Sequence, residues 1–425
     1  MMLKTIRLQN GVRVVMEPME AVRSIAFGIW IQNGSRNELP EENGMSHFIE
    51  HMLFKGTKQR SASDIAEEMD ALGGQINAYT TKEYTCYYTK VLDLHFEKAL
   101  DVMSDMLLNS AFLEEEVEKE RNVILEEIRM YDDAAEEVVH DALQDQILRE
   151  SSLGMPILGT EKSIASFTGK SLLAYLEKNY HTENTVLSVA GHFDCAEMEK
   201  LLNNYLGQWK REASYMPHDT WAEYHTALVS VPKDIEQVHL TVAFPGFPRE
   251  HEAKYAQAVF QTAFGGGMSS ALFRTIREEH GLTYSIYSYT TGFRETGMLV
   301  ICASMHPEQA KEVCTLIGQV VAKTKEVPFS EKTIGIVKQQ MMSNFLMGRE
   351  STSNCMTSAG AAMLLRNQVE PAESVMQKME AVDTASVFAV GKQLLDASKA
   401  SLCIVGNTGH LKPEELLARI QSPKE

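Results

Sequence analysis

At 425 residues, 44% hydrophobic and 23% charged, the chain has a globular composition and is too long for one ordinary core, so two or more domains are expected. Its 40 basic against 58 acidic side chains give −18 at neutral pH, which argues against a nucleic-acid partner and favours a basic ligand if acidic groups line a cavity. No secretory signal is visible, and the apolar run Ser24 to Ile31 is far too short to span a bilayer. Six scattered cysteines (Cys86, Cys195, Cys302, Cys314, Cys355, Cys403) without CxxC spacing read as reduced core thiols. A cytoplasmic protein with no membrane or nucleic-acid partner is therefore expected.

From the N-terminus, alternation around Asn10-Gly11 predicts a hairpin, and SIAFGIWIQNG a short buried strand ending at Asn33-Gly34. A helix is predicted from about Met45. Another covers SASDIAEEMDALGG, with Ser61 or Ser63 as N-cap and Gly73-Gly74 as the stop. QINAYTTKEYTCYYTKVL reads as two strands joined at Lys82-Glu83. A helical stretch runs from about His95 to Gln146, broken near Asn109 to Phe112. A further helix near Lys170 to Tyr180 leads into the strand NTVLSVAG.

The second half repeats this order. HLTVAFPGF (239–247) resembles the strand near residue 25, a helix follows, and SIYSYTTGFRETGMLVICAS repeats the two-strand pattern. Tyr-Thr-Thr at Tyr79 recurs at Tyr289, an offset close to half the chain, which supports a duplication. The expected class is α+β, with two homologous domains, each a largely antiparallel sheet packed with helices. The boundary falls between Gln208 and Thr226, giving domains of 1–212 and 227–425.

The strongest chemical signal is His47-Phe48-Ile49-Glu50-His51. Four residues turn a helix by about 400°, so His47 and His51 share a face and can grip one metal ion. Neutral nitrogen ligands suit zinc. Glu50 borders that face, in the inverted HxxEH arrangement, with small Gly44 and Ser46 ahead of it. There a carboxylate can take a proton from water activated by the metal. A catalytic zinc needs a third ligand, and Glu120-Arg121-Asn122-Val123-Ile124-Leu125-Glu126-Glu127 supplies the best candidates. Periodicity puts Val123 and Ile124 on the buried side of that helix, but counting does not choose between Glu126 and Glu127. The second half has no HxxEH. Phe260 and Gln261 stand near the equivalent offset, so no second metal site is expected.

GMSHFIEHMLFKGT, ALGGQINAYTTKEYTCYY and EKERNVILEEI together resemble the pitrilysin/insulinase family of inverted-motif zinc peptidases, and within it the short bacterial members akin to the mitochondrial processing peptidase. NTVLSVAG and FGGGMSSALFRTIREEHGLTYSIYS extend the similarity through the chain. The resemblance implies a zinc endopeptidase with one Zn2+ per chain, held by His47, His51 and Glu127, the last glutamate of ERxVIxxE. Glu50 becomes the base and Glu120 an acid that orients a ligand. Arg277 and Tyr284 become donors that hold the peptide and stabilise developing oxyanion charge. Asn77, Ala78, Tyr79 and Thr80 resemble the family's substrate-binding edge strand, which suits peptides or unstructured polypeptide segments. Ala271 departs from the arginine that relatives often carry in SSRLF. Short family members further imply a homodimer enclosing a chamber. The rival is a non-catalytic peptide-binding or assembly subunit, as some relatives have become by losing zinc ligands or the glutamate base. This chain keeps all four.

Overall fold

The computed structural model of the chain describes residues 3–210, 220–409 and 411–423. The expected boundary segment lies partly outside the described residues, at 211–219. Two compact units are present, each built on one sheet.

The first sheet holds β1 (Lys4–Arg7), β2 (Arg13–Pro18), β3 (Ser24–Ile31), β4 (Gln75–Thr80), β5 (Thr85–Leu92) and β6 (Thr185–Gly191), in the order β1-β2-β6-β3-β5-β4. All pairs are antiparallel except β2 with β6. The second sheet holds β7 (Leu228–Pro232), β8 (Val238–Gly246), β9 (Ser285–Gly292), β10 (Gly297–Met305) and β11 (Ser401–Gly406), in the order β7-β11-β8-β10-β9. Here too, among the described residues, the only parallel pair is the matching one, β7 with β11. Without β1, the first order repeats strand for strand in the second, so the fold is a duplicated α+β unit.

In the first unit the helices α1 (Met45–Met52), α2 (Ala62–Ala71), α3 (Phe96–Asn109) and α4 (Glu114–Asp133) follow the predicted pattern. Ser61 caps α2 by accepting the Asp64 N–H at 3.2 Å, and Gly73 beyond its end has φ +61°. The long helical stretch breaks at 110–113 as expected, with Phe112 in the left-handed region (φ 49°), and breaks again before α5 (Ala135–Ile147). β3 is apolar on both faces because both are buried. Ile25, Phe27, Ile29 and Ile31 enter the main core, while Ala26 and Trp30 face a second, smaller one.

That smaller core reveals an exchange between the halves of the chain. The helix covering Trp30 is Thr352–Arg366, from the second half, whereas α5 from the first half covers Ala243, Val300 and Val405 of the second sheet. The first unit comprises Met1–Ile128, Met155–Asp219 and Phe345–Pro371, and the second comprises the remainder. Each half of the chain, 1–212 and 227–425 by the expected boundary, therefore gives one helix to the other's sheet. Both helices carry an apolar stripe, which dictates burial without naming the sheet that provides it.

The contact between Thr352–Arg366 and β3 is close enough to test. A Cβ on Gly360 would lie 2.2 Å from Trp30 Nε1 and 2.3 Å from Cε2, on an indole that is fully buried. Alanine gains about 1 kcal/mol of helix propensity over glycine, but overpacking a filled core costs about 1–3 kcal/mol and wins here. Urea denaturation should find Gly360→Ala destabilised. Gly335→Ala, in a helix where a Cβ meets nothing within 4 Å, should be neutral or stabilised.

Candidate metal centre

The centre is built from α1 and α4, with β4 beside α1. Helix α1 begins at Gly44, in the left-handed region at φ +96°, where a Cβ would meet Leu158 O at 2.8 Å. No local side chain caps it. Glu38, just upstream in the chain and fully buried, does so instead: Oε2 accepts from Gly44 N at 2.8 Å and Asn43 Nδ2 at 3.1 Å, and Oε1 accepts from Ser46 N at 2.7 Å. Burial pushes the Glu38 carboxyl up to about 7, against the pull of these hydrogen bonds. Ser46 Oγ is held in turn by Asn33 Nδ2 at 3.1 Å and lies 3.3 Å from Tyr175 Oη. This buried polar network fixes the helix turn that carries His47. Sequence reasoning missed Glu38, because a carboxylate in an irregular loop has no period to betray its contact.

His47 and His51 share a face as predicted, with ring centroids 4.6 Å apart. Both Nε2 atoms lie 3.7 Å from Glu127 Oε2. The donor atoms of His47, His51 and Glu127 all fall within 4.8 Å of one another, the one such group among the described residues. Zinc bonds of about 2.0–2.2 Å in a tetrahedron put donors roughly 3.4 Å apart, so this set fits the ion. Burial, with His51 adding repulsion, lowers the His47 pKa to about 3 and keeps the imidazole neutral, as a ligand must be.

The two glutamates of helix α4 differ in setting. Its buried stripe is Val117, Glu120, Ile124 and Ile128. Glu127 stands half-buried on the rim facing the histidines, and Glu126 is exposed. Val123, expected on the buried side, is 50% exposed, because one residue's 100° step from Ile124 carries it off the stripe. Glu120 points inward to His51, with Oε1 2.7 Å from Nδ1. Burial would lower the His51 pKa, but this bond and the charges of Glu120, Glu50 and Glu127 raise it. Burial pushes the Glu127 carboxyl up, and Glu120 adds to it.

Glu50 Oε2 accepts from Thr80 Oγ1 at 2.6 Å. Burial, with Glu127 nearby, raises the Glu50 pKa despite that bond and the His51 charge. Thr80 belongs to β4, which ends the sheet and has no strand on its outer side among the described residues. Ala78 packs on the main core, Tyr79 stacks edge-on against Trp30 on the other face, and Asn77 Oδ1 accepts from Ala78 N. Arg277 and Tyr284 belong to the second unit, where the guanidinium lies 4.9 Å from the Tyr284 ring centroid. Arg277 rides on a π-helical turn, Phe273–Glu279, and Tyr284 is 80% exposed. Ala271 is half-buried against the second core.

Residues 13–161 match the family described as Insulinase (Peptidase family M16), and 166–341 match the Peptidase M16 inactive domain. A Bacillus subtilis protein named as an uncharacterized zinc protease is 40% identical over 413 residues, covering 96% of this chain and all of the relative. The chain belongs to the insulinase family of peptidases, M16. A Streptomyces coelicolor protein, also named an uncharacterized zinc protease, is 35% identical over 94% of this chain and 88% of its own length. Among solved structures, a protease from Helicobacter pylori shares the fold at TM-score 0.88 and 19% identity, over 95% of this chain and 99% of that one. In the second unit of this M16 chain, the helix Lys254–Gly265 carries buried Phe260, and Gln261 Nε2 donates to Ser288 O at 2.5 Å. No metal-ligating group lies there among the described residues. No described helix is long and apolar enough to cross a membrane.

Proposed function

We propose that this M16 chain is a zinc endopeptidase acting on peptides or unstructured polypeptide segments. The observation that carries the reading is the convergence of two imidazole Nε2 atoms on Glu127 Oε2, with the Glu50 carboxylate alongside. His47, His51 and Glu127 would hold one zinc per chain, which when bound supplies Lewis acidity and makes water nucleophilic near neutral pH. Glu50 takes the proton from the attacking water and passes it to the leaving amine. Thr80 orients Glu50 from the strand edge that would receive the substrate, coupling peptide registration to the base. Glu120 fixes the His51 ring. The family resemblance supports Arg277 and Tyr284 as donors to the developing oxyanion. The family resemblance also supports pairing of two chains.

The test is metal analysis of the purified protein and cleavage of a diverse peptide library, with and without 1,10-phenanthroline. One zinc per chain and cleavage that the chelator stops and added zinc restores are expected. Zinc bound without cleavage of any peptide would favour a non-catalytic peptide-binding subunit. Cleavage indifferent to the chelator would sink the metal reading.

A further inference from the structure

Both oxygens of Glu120 are engaged, each by a different partner. Oε1 lies 2.7 Å from His51 Nδ1, and Oε2 lies 2.7 Å from Lys55 Nζ. Glu120 is almost wholly buried, whereas about a third of the Lys55 side chain reaches solvent. The backbone fixes this contact from both ends. After α1, Phe54 N donates to His51 O and Lys55 N to Met52 O. Just ahead of α4, Ala111 N donates to Gly56 O and Lys58 N to Asn109 O, and Thr57 bridges to Ser110.

We propose that Lys55 is a positioning residue for the metal centre. It holds Glu120 in the rotamer from which Oε1 accepts the His51 Nδ1–H, leaving His51 Nε2 turned towards His47 and Glu127. The inference rests on the zinc reading above. Without the ammonium, Oε2 is left as a buried acceptor with no partner, a state costly enough to turn the carboxylate towards another donor or cation. Glu120 then ceases to fix the His51 ring. Plain electrostatics predicts the opposite sign, since deleting a positive charge beside a cation site strengthens cation binding. The sign of the change therefore separates a positioning lysine from a bystander charge.

Zinc dissociation constants of the full chain should be measured by competition with a chromophoric chelator for wild type, Lys55→Met, Glu120→Gln and the double variant. Visible spectra of the cobalt-substituted proteins report ligand geometry, and circular dichroism of the metal-free proteins reports folding. Lys55→Met is expected to weaken zinc binding about tenfold, at the low end for partners of metal ligands, and to alter the cobalt spectrum. In the Glu120→Gln background the same change should have no further effect. Tighter or unchanged binding with a wild-type cobalt spectrum overturns the proposal. So does an equal loss in both backgrounds, which means that Lys55 does not act through Glu120. If Lys55→Met fails to fold, Lys55→Leu, which also lacks a donor, replaces it in the same cycle under the same criteria. Wild type that binds no zinc fails the metal reading itself, and this inference with it.

Discussion

Replacing Glu50 by glutamine is expected to lower kcat/KM for a cleaved peptide by about 10²–10⁴-fold while the protein keeps its zinc. At about 1.4 kcal/mol per factor of ten, that is roughly 3–5 kcal/mol of transition-state stabilisation. Glutamine preserves the shape of the side chain and an oxygen that can accept from Thr80 Oγ1, which lies 2.6 Å from Glu50 Oε2. It removes the capacity to accept a proton. Metal affinity should hold because the donor atoms come from His47, His51 and Glu127. Zinc content by elemental analysis, beside steady-state kinetics, separates the two effects. Undiminished cleavage by Glu50→Gln would mean that another group serves as base. Cleavage and zinc lost together would give Glu50 a role in holding the ion.

The parts of the site that follow helical period were legible in the sequence. Four residues fix the angle between His47 and His51, and the structure brings their Nε2 atoms to 3.7 Å from one oxygen of Glu127. The limit of that reasoning appears on α4. Periodicity identified a buried stripe but placed Val123 on it, and a 100° error in the rotation of a helix is the difference between Glu126 and Glu127 as a ligand. Only packing of Ile124 and Ile128 against the core sets that rotation. The order of elements along the chain and its repetition were legible, whereas the strand order within each sheet and the exchange of α5 and Thr352–Arg366 were not. An amphipathic helix records that it will be covered and leaves the partner unspecified. Glu38 and Lys55 were invisible for a related reason. Their contacts to Ser46 N and Glu120 arise where irregular backbone meets a helix, and no spacing rule describes that meeting.

Removing Glu127 should abolish tight zinc binding, and removing its neighbour should not. Glu127→Ala is expected to weaken zinc by more than about 100-fold, because partners one step behind a ligand already cost 10–100-fold. Glu126→Ala, at an exposed position on the same turn, should bind as wild type does. The stability of the metal-free protein supplies an independent check. Burial pushes the Glu127 carboxyl up, and Glu120 adds to it against the pull of the His51 charge, so the ionised side chain costs the metal-free fold at neutral pH. Deleting Glu127 relieves that cost, so metal-free Glu127→Ala should unfold at or above the midpoint of metal-free wild type. Zinc then divides the two proteins. At a hundredfold excess over Kd, a ligand that binds only the folded state stabilises it by about 2.7 kcal/mol. Wild type should gain a corresponding rise in Tm, and Glu127→Ala at the same zinc concentration should gain almost none. A zinc-dependent rise of equal size in both proteins would remove Glu127 from the ligand set.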